Sequence, residues 1–279
     1  MCSSDLVLII GFGLLGSSLA YSLKANGYHV FAYDKDESSL AFGKENNLID
    51  GIAKLDSFES YSYIFLCVYP SSILEYVKKI ASLKHQEGTY IFDVTGLKSS
   101  YLDEVLNIVH DNKMYYVSLH PMAGGEERGA SNYKSNLFEN KNLIYVYSDD
   151  SLAEEREEAR KINSLLKGRY SELDKESHDK IIAYVSHLPH VLAMALMNKK
   201  DVVKYKEYIG QSFLDLTRIA SFNSGLWTEL LVENKDNLCE EIDEYVSILN
   251  SFKNELIKED KNEIESKLIQ STSNRKEIE

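Results

Sequence analysis

Short apolar runs alternate with stretches of helical pattern over the first half of the chain. The runs at 6–10, 28–33, 62–68, 89–93, 115–119 and 142–147 are rich in Val, Ile, Tyr and Phe and predict strands. The stretches at 14–26, 36–46, 70–83 and 99–110 predict helices. Strands that alternate with helices imply βαβ units, so an α/β fold with a doubly wound, mostly parallel sheet is expected. Beyond about residue 170 the strand signals stop. Helices are predicted over 174–199, 201–220, 223–233 and 235–258, with a charged tail after them. The last helix repeats Leu238, Ile242, Tyr245, Val246, Leu249 and Phe252 at helical spacing. The expected organisation is an α/β domain over 1–170 and an all-helical domain over 171–279. The charged run Glu154-Glu155-Arg156-Glu157-Glu158 reads as the solvated face of a helix.

Composition narrows the class. Lys and Arg number 31 against 44 Asp and Glu, for a formal charge of −13. A nucleic-acid binder needs clustered cations, so none is expected here. The 3 cysteines, Cys2, Cys67 and Cys239, are scattered and odd in number. They form neither a disulfide framework nor a metal-ligand spacing, and they fit a reducing, cytoplasmic setting. No run reaches the roughly 20 apolar residues that cross a bilayer, and the start lacks the basic segment of a secretory signal. No membrane partner is expected.

The first candidate chemistry lies at the first turn. Gly11-Phe12-Gly13-Leu14-Leu15-Gly16 is a GxGxxG that follows a predicted strand and opens a predicted helix. Gly11 suits the tight turn, Gly13 lets the backbone approach a pyrophosphate, and Gly16 lets the helix pack against the strand. The helix N-terminus would face the phosphates. Asp34 ends the second strand, about 20 residues on, where a carboxylate accepts from ribose hydroxyls and repels a 2′-phosphate. NAD is therefore favoured over NADP, with Lys35 beside the acid as a counter-indication. FAD, another adenine nucleotide, or a glycine turn with no ligand remain alternatives. Val68 and Pro70, at the end of the strand at 62–68 and just after it, border the same crevice.

The second candidate set is histidines and an arginine. His120 follows the strand at 115–119 and begins a loop of about twenty residues; loops that long are usually functional or disordered. Histidine suits proton transfer near neutral pH. His187 and His190 lie three apart in a helical pattern interrupted by Pro189, which should bend the helix. No third ligand accompanies them, so a metal is not expected. Arg218, in Asp215-Leu216-Thr217-Arg218, could bind a carboxylate bidentately, and Trp227 follows it.

Taken in order, these segments resemble the prephenate dehydrogenase family. The resemblance rests on the glycine turn, Asp34, Asp93-Val94-Thr95-Gly96-Leu97-Lys98, His120-Pro121-Met122-Ala123-Gly124 with Glu126 and Gly129, Ser186-His187-Leu188-Pro189-His190, Asp215 to Ala220, and Trp227. It implies a Rossmann-type NAD-binding domain followed by a helical dimerisation domain. It also implies NAD-dependent oxidative decarboxylation of prephenate to 4-hydroxyphenylpyruvate and CO2, in tyrosine biosynthesis. In that family's terms His120 takes the proton of the ring hydroxyl and Glu126 is the active-site acid. Arg218 anchors a substrate carboxylate, His190 is a second polar contact, and Asp215 and Trp227 shape the site. The family pattern implies a homodimer. One departure stands out. Many relatives read Gly-Ser-x-Lys where this chain reads Thr95-Gly96-Leu97-Lys98, so Thr95 becomes the candidate replacement for the family serine. Lys98 reads as either a cofactor neighbour or a helix start.

Three other readings stay open. The substrate could be arogenate, or a broader cyclohexadienyl range. The chain could be another two-domain dehydrogenase acting on a hydroxyacid or imine. It could also be a non-catalytic NAD-sensing regulatory protein.

Overall fold

The computed structural model describes residues 6–124 and 127–278. The first half runs β1 (Leu6–Ile10), α1 (Leu14–Ala25), β2 (His29–Tyr33), α2 (Glu37–Glu45), β3 (Gly51–Ile52), β4 (Tyr63–Leu66), α3 (Pro70–Ser82), β5 (Tyr90–Asp93), α4 (Leu102–Asp111) and β6 (Tyr115–Pro121). It continues through β7 (Asn142–Tyr147), α5 (Ala153–Leu166) and β8 (Arg169–Asp174). These strands form one sheet of eight in the order β3-β2-β1-β4-β5-β6-β7-β8. Every neighbouring pair is parallel except β6 with β7, which is antiparallel.

Alternate side chains of each strand enter two different apolar layers. Val7, Ile9, Phe65, Phe92 and Val117 face one, and Leu8, Ile10, Ile64, Leu66 and Ile91 face the other. Both faces are covered by helices, which is why the inner strands read as unbroken apolar runs. α3 shows how a covering helix is specified. Pro70 sits at its first turn, where its missing N–H costs nothing, and Pro70, Ile73, Val77 and Ile80 form the buried stripe. Strand order reverses between β1 and β4, and the crevice at the carboxyl ends of strands at such a point is where ligands bind.

Two strands escape the hydrophobic pattern. β3 has only two residues, and β8 reads Arg-Tyr-Ser-Glu-Leu-Asp at the sheet edge, where much of it stays in water.

The second half is helical: α6 (Lys175–Ile182), α7 (Leu188–Met197), α8 (Gln211–Thr217), α9 (Ser224–Glu233), α10 (Lys235–Lys258) and α11 (Lys261–Glu277). Pro189 does not break the 174–199 helix. A π turn at Ala183–His187 joins α6 to α7, and the wider turn absorbs the proline. The resulting Lys175–Met197 helix has the length and apolar composition to cross a membrane, contrary to the expectation from sequence. It is instead fastened to the sheet, with His178, Asp179 and Ile182 buried and Ile182 packed into the second apolar layer.

The stretch expected as a helix over 201–220 is broken. 3-10 turns at Val202–Tyr208 and Arg218–Ala220 flank α8. The charged tail is helix α11, tied to α10 by the Lys267–Glu255 ion pair. The helical half exposes large apolar side chains, with Tyr208 84% and Val203 79% accessible. Such exposure is characteristic of an interaction surface.

Candidate active site

The glycine turn lies at the strand-order reversal. Gly11 has φ 94°, and a Cβ there would sit 2.3 Å from the Cys67 carbonyl oxygen. The loops after β1 and β4 therefore touch backbone to backbone, which only glycine permits. A Cβ on Gly16 would fall 2.1 Å from the Gly11 oxygen, so α1 is pressed onto the turn. Gly13 differs: a Cβ there would meet nothing within 4 Å, so its face is open. No side chain caps the N-terminus of α1.

Asp34 accepts from the Phe12 N–H at 2.5 Å and from the Asp36 N–H at 2.8 Å, fixing a carboxylate at the rim of the turn. An open cradle, an uncapped helix N-terminus and a ribose-height carboxylate fit a dinucleotide. Leu14 and Leu15 are part-exposed on the first turn of α1, and Val68 lies against Gly11. Phe12 and Pro70 are buried, so they contribute backbone rather than side chain.

Two contacts close the crevice from the helical side. The Ser71 N–H and hydroxyl both donate to Glu229 of α9, at 2.6 and 3.0 Å, and Asn223 donates to the Tyr69 hydroxyl at 3.0 Å.

His120 stands at the carboxyl end of β6. Its Nδ1 lies 2.9 Å from Nε2 of His178, and Nδ1 of His178 lies 2.6 Å from Asp179 Oδ1. Asp179 also accepts from the backbone N–H groups of Lys98 and Ser99, the latter at 2.8 Å. Burial pushes the His120 imidazole well below its ordinary pKa, and His178, Lys98 and His187 push in the same direction. The ring is therefore neutral at pH 7, as a proton acceptor must be. The other face of the ring meets Gly96, where a Cβ would sit 3.7 Å from His120 Nε2 and 3.4 Å from Leu230.

Thr95 does not take the place of the family serine. Its hydroxyl points into the core, donating to Asp93 at 2.8 Å and meeting the Tyr101 hydroxyl and the Leu97 carbonyl. The catalytic role expected for Thr95 is corrected on that geometry: the residue beside the His120 ring is Gly96.

Lys98 does not open a helix, since α4 begins only at Leu102. It is fully buried, paired with fully buried Asp93, and its ammonium donates to the Leu119 carbonyl at 3.0 Å. It thus underpins the residue before His120.

The helical half brings a second cluster. The His190 ring stacks on Trp227 with centroids 3.8 Å apart, and Phe222 packs edge-on to Trp227. His190 Nδ1 donates to the Ser186 carbonyl at 2.7 Å, so in the neutral ring Nε2 is the nitrogen with the lone pair. Burial, and after it the Arg218 charge, lower the His190 pKa, with the backbone bond to Ser186 opposing them. His187 is buried behind them and pushed down to about 4, mainly by burial. Arg128, in the loop after β6, donates to the Phe222 carbonyl and ties that loop to this cluster.

Asp215 is not brought in. It lies on the exposed face of α8 and accepts from Gln211 at 2.8 Å, so within this chain it does not shape the site. Glu126 lies outside the described residues. Among the described residues no group of three His, Cys, Asp or Glu could hold a metal ion. Sequence reasoning missed His178 and Asp179. Their signal was a His-Asp pair whose histidine lies four residues ahead of Ile182, on the stripe of the helix that faces the core.

A nucleotide cradle at a strand-order reversal, with a neutral histidine at the end of a nearby strand and a helical half closing over both, defines a two-part dehydrogenase. Residues 19–172 match the prephenate dehydrogenase nucleotide-binding domain, and residues 174–270 match the prephenate dehydrogenase dimerization domain. The chain belongs to the prephenate dehydrogenase family.

It is 32% identical to a prephenate dehydrogenase of Lactococcus lactis subsp. cremoris over 267 residues, covering 93% of this chain and 73% of that one. It is 27% identical to a cyclohexadienyl dehydrogenase of Zymomonas mobilis, covering 91% of this chain and 89% of that one. The crystal structure of the A. aeolicus prephenate dehydrogenase, in complex with hydroxyphenyl propionate and NAD+, superposes with a TM-score of 0.88 at 26% identity, over 99% of this chain and 98% of that one.

Proposed function

We propose that this chain is an NAD-dependent prephenate dehydrogenase that converts prephenate to 4-hydroxyphenylpyruvate and CO2 for tyrosine biosynthesis. The observation that carries the reading is His120. It is a neutral imidazole at a sheet end, with Nδ1 occupied and Nε2 turned towards the side-chain-free Gly96. Gly11, Gly13, Gly16 and Asp34 hold the dinucleotide, with Leu14, Leu15 and Val68 along its edge and the Phe12 and Pro70 backbones beneath. NAD, when bound, supplies the hydride acceptor at this site.

His120 Nε2 takes the proton of the ring hydroxyl as the same ring carbon loses its hydride. Departure of the ring carboxylate as CO2 leaves an aromatic ring, and His120 returns the proton to the phenolate oxygen. Arg218 anchors a substrate carboxylate, while His190, held by Ser186 and Trp227, offers Nε2 as a polar contact. The substrate meets mostly positioning and polarising groups, which suffices because aromatisation drives the step. The chain divides at about residue 170 into the nucleotide domain and a helical domain that pairs two copies through its exposed apolar residues. Free Cys67 and Cys239 fit a reducing, cytoplasmic setting.

Purified protein mixed with prephenate and NAD, followed by absorbance of the reduced nicotinamide, tests the reading directly. Arogenate and NADP are run in parallel. Turnover with prephenate and NAD is expected. Turnover with arogenate alone would keep the mechanism and change the substrate, and silence with NAD binding intact would overturn the catalytic reading.

A further inference from the structure

We propose that His178 and Asp179 are positioning residues for this reaction: they hold His120 as its Nδ1–H tautomer and so leave Nε2 bare towards the cleft. The proposal rests on the reading of His120 as the proton acceptor. The Asp179 carboxylate already accepts from the N–H groups of Lys98 and Ser99. Burial pulls its pKa upward, but the bonds from His178 and Ser99 outweigh that and keep it below the usual carboxylate range. An ionised carboxylate only accepts. The His178 nitrogen 2.6 Å from it, Nδ1, must therefore carry the proton, because two lone pairs at that distance would repel. Burial lowers the His178 pKa despite Asp179, so the ring is neutral and its Nε2 is an acceptor. Nδ1 of His120, 2.9 Å away, then has to donate. Neutral His120 has one ring proton, which leaves Nε2 with the lone pair.

When Nε2 takes the substrate proton, the two hydrogen bonds already connect the new imidazolium to a fixed negative charge. No further proton needs to move. The groups facing the two rings are Lys98 and Asp93 from the loop and strand beneath, Asp179 on the same helix, His187 from the π turn, and Glu233 of α9 near Asp179. Lys98 and His187 oppose protonation of His120, and the Asp179 carboxylate favours it only through His178.

The test uses the full-length protein. His178→Leu removes the acceptor, while His178→Gln can offer an amide oxygen in its place. General-base action is worth roughly 100-fold or more. His178→Leu is expected to lower kcat on the order of 100-fold, to leave KM for prephenate and the NAD Kd within about twofold, and to move the acid limb of the pH profile. His178→Gln should recover about tenfold of that loss. The double variant His120→Asn/His178→Leu should be no slower than His120→Asn alone, because both act at one atom. Unchanged kcat and pH limb in a folded His178→Leu would overturn the proposal.

A second measurement does not depend on the variants. 15N-histidine NMR of the wild-type protein at pH 7 should show His120 protonated at Nδ1 and bare at Nε2, and an Nε2–H tautomer would refute the assignment. If His120→Asn keeps wild-type turnover, the acceptor role of His120 falls, and the NMR tautomer still decides whether His178 sets the ring.

Discussion

Replacing Lys98 by Met tests how the catalytic strand is supported. Lys98 and Asp93 are both fully buried and paired. In the wild-type chain burial pulls the Asp93 pKa upward, but the Lys98 charge and several hydrogen bonds hold it below the ordinary 3.8. Lys98→Met keeps the length of the side chain and removes the charge. Asp93 would retain the Tyr116 hydroxyl at 2.8 Å, the Tyr101 hydroxyl at 3.0 Å and both donors of Thr95, but no counter-ion. Breaking a buried pair from one side costs about 3–5 kcal/mol. The four remaining donors place the expected loss near the lower end, at about 3 kcal/mol, a large part of the stability of an ordinary domain.

Urea unfolding at several pH values reads this. The wild-type contribution of Asp93 is present above its unfolded pKa and is lost as pH falls through the lower folded value. In Lys98→Met the folded pKa rises above the unfolded one, so the cost is greatest near neutrality. The gap between variant and wild type should therefore narrow as the pH is lowered towards 4. Asp93→Asn/Lys98→Met, which removes both charges, should recover more than half of the loss. A loss below about 1 kcal/mol, or a gap that widens in acid, would refute the account of the pair as a coupled buried unit.

His120→Asn should leave NAD affinity nearly intact and reduce turnover by roughly 100-fold or more; equal turnover in a stopped-flow or steady-state assay removes His120 from the mechanism. Because burial holds His120 below its ordinary 6.5, kcat/KM should stay level through pH 7 and decline only in acid, and a midpoint above 6.5 would contradict that. His187, pushed down to about 4, should add to acid destabilisation. A histidine kept neutral on folding contributes stability above its unfolded pKa, and that stability drains as pH falls from about 6.5 towards the folded value, at up to about 1.4 kcal/mol per pH unit. Arg218→Ala should raise KM for prephenate with little change in kcat, and an unchanged KM would end its anchoring role. Gly16→Ala places a Cβ 2.1 Å from the Gly11 oxygen, so NAD titration by fluorescence should show affinity weakened by about tenfold or more; normal affinity would mean the turn is not the cradle.

The strands that position the site were legible because they are buried on both faces. β1, β4 and β5 could hardly be read otherwise. β8 was not, since at the sheet edge Arg169, Glu172 and Asp174 keep contact with water and dilute the alternation. α11 was hidden for a related reason: it buries no residue, so its chain carries no apolar stripe to count.

Within the site, the glycine turn and His120 announced themselves by residue type and position. The Thr95–Gly96 question did not. Linear adjacency cannot say which side of a turn a side chain leaves from, and here Thr95 leaves towards Asp93 while the Gly96 α-carbon faces the imidazole. His178 and Asp179 were equally opaque, because their meaning depends on a partner 58 residues earlier in the chain.

The antiparallel step from β6 to β7 has a consequence for how this enzyme can change. Neighbouring antiparallel strands joined at one end need a link of only a few residues. Pro121 is in register with Leu143, yet the chain spends residues 122–141 between the strands. That length has no duty in topology. Part of it reaches the helical half through Arg128, and part returns to α1, where the Lys134 N–H donates to Ser18. Its later part is also built into the core: Ala130, Leu137 and Phe138 are buried in the first apolar layer, so the segment is both connector and packing unit. An exchange between relatives would therefore have to carry those three apolar side chains with it, or the layer under β6 and the His120 imidazole would lose its packing.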